Sequence, residues 1–333
     1  MHNFDFGQTV VTGGAGLIGS AAIWGLNNLN HKDIWLVDWI NSLGKKQRNL
    51  ENLLFERSSE PDHFRNLIKQ NSIELKKVKT VIHLGACSST TETNQKYLDD
   101  NNFLYTKEIC EWCLEENVRF VYASSAATYG DGSSGMSDLD DDIEKFKPLN
   151  LYGWSKHNFD LLAKENGWLD HITGLKYFNV FGPNEEHKGD MRSVVSKAFS
   201  QIKNTEGMTL FKSHKKEFKD GEQKRDFLYV KDAVNMTIWL TQNTKATGLF
   251  NLGNGLARTW LDLGLSIFSA LKLSPNIKFV DMPEILREKY QYFTQAETTK
   301  LKDHGFKSEL FSLEEAVQDY VCNYLNSDSK LGA

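Results

Sequence analysis

The segment Thr12-Gly-Gly-Ala-Gly-Leu-Ile-Gly19 constrains this chain more than any other. It lies between a short apolar strand, Gln8 to Val11, and a stretch with helical periodicity, Ser20 to Leu29. A second strand, Ile34 to Val37, follows and ends at Asp38. Missing side chains at Gly13, Gly16 and Gly19 permit a tight turn, close approach of the backbone to a pyrophosphate, and packing of the helix on the strand. The helix N-terminus supplies amide donors to the phosphates, with Leu17 and Ile18 in its first turn. A glycine triplet alone says little, but strand, loop, helix, strand and terminal acid in this order specify dinucleotide binding.

The alternation continues. Apolar runs at Thr80 to His83, Phe120 to Ala123 and Ile172 to Tyr177 alternate with helical stretches around Pro61 to Gln70, Asn94 to Glu116 and Tyr152 to Asn166. This rhythm predicts an α/β fold, a Rossmann-type doubly wound parallel sheet. After Tyr177 it breaks: a charged loop, Pro183 to Asp190, leads to a helix expected at Met191 to Lys203. Strands are expected again at Asp226 to Val230 and Leu249 to Leu252, with Lys212 to Lys224 as an exposed insertion. The expected division is a dinucleotide-binding domain over residues 1–178, rejoined by about 226–255. A smaller, partly discontinuous C-terminal substrate domain takes 179–225 and 256–333.

At the carboxyl edge of such a sheet, Asp38 can accept hydrogen bonds from a ribose, which favours NAD over a 2′-phosphate. Lys45, Lys46 and Arg48 follow closely and could neutralise that phosphate, so NAD and NADP both stay open. Leu84-Gly-Ala-Cys-Ser88 suits close passage beneath a cofactor, or plain loop packing. Ser124 and Ser125 end a strand at the same edge, where Ser125 can hold an oxygen undergoing redox. Tyr152 and Lys156 are four apart on a helix and face the same way, so a nearby ammonium is expected to pull the phenol below its ordinary value of about 10. The alternative for that pair is a solvated helix face.

Apolar residues make up 40% of the 333 residues and charged residues 25%, a composition that suits a globular protein with an ample core. A formal net charge of −5, with no basic block among aromatics, argues against nucleic acid. Without a long apolar run or a leader-like start, the expectation is a cytoplasmic protein with no membrane partner. The four cysteines do not make a disulfide framework, and no metal-ligand set is singled out. Cys110-x-x-Cys113 falls within a helical pattern with no strand leading into it, so packing is preferred to a redox role.

The glycine loop, Ser125 and Tyr152-x-x-x-Lys156 together resemble the extended short-chain dehydrogenase/reductase family of nucleotide-sugar enzymes. Six more discriminating strings look like its ADP-heptose 6-epimerase branch. They are Gly85-Ala-Cys-Ser-Ser-Thr-Thr-Glu92, Tyr122-Ala-Ser-Ser-Ala-Ala-Thr-Tyr-Gly130, Tyr177-Phe-Asn-Val-Phe-Gly-Pro183, His187-Lys-Gly189, Arg225-Asp-Phe227 and Tyr290-Gln-Tyr-Phe-Thr-Gln295. The resemblance implies an isomerase that inverts C6 of an ADP-heptose through a transient C6 aldehyde, formed and reduced by one tightly held NADP. Such an enzyme supplies lipopolysaccharide inner-core precursor synthesis.

By the same resemblance, Tyr152 and Lys188 exchange protons with the sugar in two orientations. Gly13, Gly16 to Gly19, Asp38, Trp39, Lys45, Leu84, Gly85, Ala86, Cys87, Ser88, Asn101, Lys156, Val180 and Lys188 serve the cofactor. Ser125, Asn179, Asp190, Lys197, Phe211, Arg225 and Tyr290 serve the substrate. Trp39 stands where an asparagine is familiar, and Asp190 and Lys197 where serine and histidine are. A homo-oligomer, a pentamer, is also implied. The competing readings are another nucleotide-sugar 4-epimerase or dehydratase, and a cofactor-binding regulator without catalysis.

Overall fold

A computed structural model describes residues 4–287 and 290–332. The first six strands are β1 (Gln8–Thr12), β2 (Ile34–Val37), β3 (Arg57–Ser59), β4 (Val78–His83), β5 (Arg119–Ser125) and β6 (Thr173–Tyr177). The next six are β7 (Asn179–Phe181), β8 (Met208–Phe211), β9 (Lys224–Tyr229), β10 (Gly248–Leu252), β11 (Ala257–Thr259) and β12 (Ile277–Val280). Seven of them form one parallel sheet in the order β10-β6-β5-β4-β1-β2-β3. The chain winds outward from β1 through β2 to β3, then crosses to β4 and winds the other way. The reversal between β1 and β4 opens a crevice beyond their carboxyl ends.

Strand residues alternate between the two covered faces. Val10, Val81 and Phe120 meet Phe64, Ile109 and Phe159 on one face. Val11, Leu36 and Ile82 meet Ala21, Ala22, Leu26 and Val234 on the other. Both faces being buried explains why the strands read as continuous apolar runs rather than alternating ones.

The sequence pattern expects strands at 226–230 and 249–252 to return to the first domain, without saying which sheet each joins. Strand β9 pairs with β7 and β11 in a separate three-stranded sheet. The helix Val230–Gln242 then packs on Leu17–Asn28, and β10 adds the outer strand beside β6. An apolar run reports burial, not its pairing partner, and β9 is buried along most of its length. β8 and β12 form a further two-stranded pair beside the helices Val194–Thr205 and Trp260–Leu271.

The helical stretch expected from Asn94 to Glu116 contains a wide π-type turn at Asp99–Leu104, between Gln95–Leu98 and Tyr105–Glu115. Cys110 and Cys113 are buried in the last of these, and burial pushes both thiols up, away from the reactive thiolate. Among the described residues no helix is long and apolar enough to cross a membrane.

Candidate active site

The crevice at the β1/β4 reversal is a cleft of about 660 Å³. Its floor is the glycine loop. A Cβ on Gly19 would sit 2.0 Å from the Gly13 carbonyl oxygen, and one on Gly13 would sit 2.7 Å from the Gly85 backbone. Only hydrogen fits at either position. Helix Leu17–Asn28 has no side-chain cap and no acid in its first turn, which leaves its amino end free to donate to an anion. Thr12 ties the loop to its neighbour: its hydroxyl accepts from the amides of Leu84, at 3.1 Å, and Gly85, at 3.0 Å. The hydroxyl hydrogen is then left for His83 Nδ1, 2.7 Å away, which puts the ring proton on Nε2, facing Thr106 Oγ1 at 3.0 Å. Burial holds His83 neutral.

Leu17, Ile18, Asp38, Trp39, Leu84, Gly85, Ala86, Cys87, Ser88, Asn101, Val180, Lys156 and Lys188 all face this cleft, as do Ser125, Tyr152 and Asn179. Lys45 does not. It lies in the tight turn Gly44–Leu50, where roughly three residues per turn swing adjacent side chains apart. Lys46 turns inward instead, 3.0 Å from Asp38, while Lys45 is exposed. Asp38 is 3% exposed and also accepts from the amides of Ala15, at 3.0 Å, and Trp39, at 2.8 Å.

Asp190, Lys197 and Phe211 are likewise not among the residues facing the cleft. Helix Val194–Thr205 buries Val195, Ser196 and Ala198, so Lys197 points outward, its ammonium donating to the Asp190 carbonyl at 3.3 Å. Arg225 and Tyr290 are also absent from the cleft lining and meet each other beside Trp260. The Arg225 guanidinium lies 5.0 Å from the Tyr290 ring and 5.7 Å from that of Trp260, and Trp260 Nε1 donates to the Tyr290 hydroxyl at 2.9 Å. Trp260, which lines the cleft, was not singled out by the sequence; an isolated tryptophan at a helix start carries no pattern.

Asn150 caps the helix Leu151–Glu165, accepting from Gly153 N at 2.8 Å, and so fixes the start of the Tyr152-Lys156 turn. Behind it lies a buried polar network that sequence reasoning missed. Asp160 accepts from Ser124 Oγ at 2.7 Å, Lys176 Nζ at 2.6 Å and the Tyr122 hydroxyl at 2.9 Å. Lys176 also donates to Thr128 Oγ1 at 2.8 Å, and Thr128 in turn to the Ser125 carbonyl at 2.8 Å. Asn102, in the π-type turn, accepts from Cys87 N at 2.8 Å and donates to Ser155 Oγ at 2.9 Å, latching the Leu84 to Ser88 loop to the tyrosine helix. Its only signal was position within a helical run.

The electrostatics correct one expectation. Burial raises the Tyr152 phenol, a rise partly offset by the Ser125 hydroxyl. Burial also lowers Lys156 to about 8, with Asp160 partly opposing. A lysine that sheds its proton near 8 is neutral by the time the phenol titrates, so it exerts no pull in the ligand-free chain. Lys188 is lowered too, by burial, with Glu185 opposing.

A pH dependence of stability follows. The folded state releases the Lys156 proton at about 8, the unfolded chain near 10.5, so between those values the unfolded state binds more protons. Stability of the ligand-free protein is therefore expected to gain a rising contribution from pH 8 to 10 that Lys156→Met lacks. Denaturant titrations of both proteins across that range check it; parallel curves would refute it.

A parallel doubly wound sheet, a side-chain-free phosphate cradle and a Ser125/Tyr152/Lys156 set at the same edge define a dinucleotide-dependent enzyme of the extended short-chain dehydrogenase/reductase type. The family model of the NAD dependent epimerase/dehydratase family matches residues 9–253, and the chain belongs to that family. It is 48% identical over 316 residues to an ADP-L-glycero-D-manno-heptose-6-epimerase of Nitratidesulfovibrio vulgaris, covering 95% of this chain and 97% of the relative. A Fusobacterium nucleatum protein of the same name is 43% identical over 95% of this chain and 97% of its own. Among solved structures, a UDP-N-acetylglucosamine 4-epimerase from Methanobrevibacter ruminantium is 26% identical with a TM-score of 0.79, over 97% of this chain and 99% of that one. The Helicobacter pylori ADP-L-glycero-D-manno-heptose-6-epimerase has the same fold, at TM-score 0.79 and 24% identity over 97% of this chain and 98% of that one.

Proposed function

We propose that this enzyme converts ADP-D-glycero-D-manno-heptose to ADP-L-glycero-D-manno-heptose by oxidation and re-reduction at C6. The observation that carries the reading is that two half-buried side chains able to move protons, Tyr152 and Lys188, line one cleft beside the glycine loop. A dehydrogenase needs one such group. Inversion needs hydride to leave one face of C6 and return to the other, so the intermediate turns and its oxygen requires a second partner. C6 is bonded to both C5 and C7, which makes that intermediate a ketone rather than the aldehyde expected from the resemblance.

When bound, the nicotinamide supplies the hydride acceptor and a positive charge. Around it, Ser125 holds the C6 oxygen, Tyr152 takes or returns its proton in one orientation, and Lys188 does so in the other. Lys156 relays charge to Tyr152, and Arg225, flanked by Trp260 and Tyr290, clamps the diphosphate. Residues 1–178 with about 226–255 serve the cofactor, and 179–225 with 256–333 the sugar nucleotide. The working form is a homo-oligomer, a pentamer, in the cytoplasm, serving lipopolysaccharide inner-core precursor synthesis; light scattering tests the assembly. Incubation with each C6 epimer and chromatographic separation of the two tests the reaction. Turnover of a UDP- or GDP-sugar with no change in ADP-heptose would overturn it.

For the cofactor we favour NADP. Asp38 is already engaged by two amides and Lys46, and the part-exposed Lys46 ammonium is available to a 2′-phosphate. Lys46→Ala is expected to weaken NADP binding by roughly tenfold or more, from the loss of a charge-assisted hydrogen bond. NAD affinity should change less than about threefold, because NAD has no such phosphate. Calorimetry with both nucleotides reads this; equal loss for the two would refute it.

A further inference from the structure

The segment that carries Lys188 is fastened from two sides, and one side is the dinucleotide loop itself. Asn49, only 1% exposed, sits between them. Its Nδ2 lies 2.9 Å from the Ala15 carbonyl, inside the glycine loop, and 3.0 Å from the Asn184 carbonyl at the start of the Lys188 segment. An amide nitrogen has two hydrogens, and these two carbonyls take them. His187 Nδ1 is also 3.1 Å away. A second link runs parallel: Asn184 Nδ2 donates to Ser20 Oγ at 3.0 Å, and Ser20 donates to the Gly16 carbonyl at 2.7 Å. Asn184 holds a left-handed backbone, φ 75°, which aims its carbonyl and side chain at these partners.

The other side of the segment is tied elsewhere. Glu185 is fully buried and accepts from Ser193 Oγ, at 2.5 Å, and from the Tyr320 hydroxyl, at 2.9 Å. Lys330 binds Glu186 at 2.6 Å. Tyr320 and Lys330 thus tie the far side of the segment to the C-terminal part of the chain, which also reaches Asn184 Oδ1 through Leu331 N at 3.3 Å, while Arg48 lies 3.7 Å from Glu186. Asn49 and the Ser20–Asn184 pair are the side-chain hydrogen bonds that join the glycine loop directly to the Lys188 segment.

We propose that Asn49 is a positioning residue that couples occupation of the dinucleotide loop to the placement of Lys188. Phosphate binding at the amino end of Leu17–Asn28 stiffens the loop around Ala15 and Gly16. Through the Ala15–Asn49–Asn184 bridge that stiffening passes to the segment bearing Lys188, so the second proton-transfer group is held more firmly when cofactor is in place. Loss of the bridge leaves the cofactor bound but Lys188 free to wander, and displacement of such a group by about 1 Å can lower a rate by up to about a hundredfold.

This inference rests on the role given to Lys188, and its test separates the two. Hydrogen exchange is followed over residues 13–20 and 184–193 in the wild type and Asn49→Ala, each with and without NADP. In the wild type NADP should slow exchange in both segments; in Asn49→Ala it should still slow 13–20 but slow 184–193 clearly less, the Ser20–Asn184 link alone remaining. In parallel, kcat for C6 inversion should fall roughly tenfold or more, with KM changed less than about threefold, because placement rather than sugar binding is lost. If exchange uncouples while kcat is unchanged, the bridge is real and the role of Lys188 is wrong. If NADP protects 184–193 equally in both proteins, the bridge itself is refuted. Should Asn49→Ala not fold, the similarly sized Asn49→Asp removes both donors and is held to the same outcomes.

Discussion

Tyr152→Phe is expected to lower kcat for C6 inversion by about a thousandfold, within the range of about 10² to 10⁴ that a positioned acid or base contributes. The ring stays and only the hydroxyl goes, so the cavity keeps its shape and cofactor retention should be unchanged. The loss corresponds to about 4 kcal/mol of transition-state stabilisation. It should fall on kcat and kcat/KM alike, because the proton moves in the transition state and not on binding. Burial keeps the ligand-free phenol protonated. The group is therefore competent as an acid at once, and as a base only when the positive charge of the bound nicotinamide and the Lys156 ammonium bear on it. Activity within about threefold of wild type would remove Tyr152 from the reaction.

Lys188→Ala should cost a comparable factor, about 10² to 10³ in kcat, but with a different signature. If the two groups serve opposite orientations of one ketone, each variant blocks hydride transfer with one C6 epimer and spares it with the other. Mixing each variant with each epimer and following the absorbance of reduced nicotinamide reads this directly. The expected pattern is complementary: the epimer that still reduces the cofactor in Tyr152→Phe fails to do so in Lys188→Ala. Reduction by the same epimer in both variants would mean that Tyr152 and Lys188 act in one orientation, and the two-group account would fall. Alanine at residue 188 also relieves the desolvation cost of a half-buried ammonium, so stability should not drop with activity.

Much of the fold was legible because its signals are local. The glycine loop follows β1 and opens Leu17–Asn28 as the spacing of its glycines requires, and β2 was read from its four apolar residues to its terminal Asp38. The short strand β3, by contrast, carries no run: Arg57, Ser58 and Ser59 are polar at the sheet's edge, and only pairing with β2 makes them a strand. Of the two candidate lysines, Lys46 and not Lys45 faces Asp38 because the turn after Leu43 is tight, a geometry invisible in two consecutive lysines. Asn49, Asn102 and Asp160 were missed because the contacts that single them out reach partners 15 to 138 residues away.

By itself, the sequence determined the doubly wound parallel architecture and the tight glycine loop after β1, together with a Tyr152-Lys156 pair on one helix face. These rest on periodicity and on spacings within a few residues, where backbone geometry leaves little choice. The tertiary structure alone decided which sheet β9 joins and which lysine faces Asp38. It also set the direction in which the Tyr152 phenol shifts, and it brought the Lys188 segment against the glycine loop. Those outcomes depend on burial and on contacts between distant segments, and desolvation of a side chain has no representation in the order of residues along the chain.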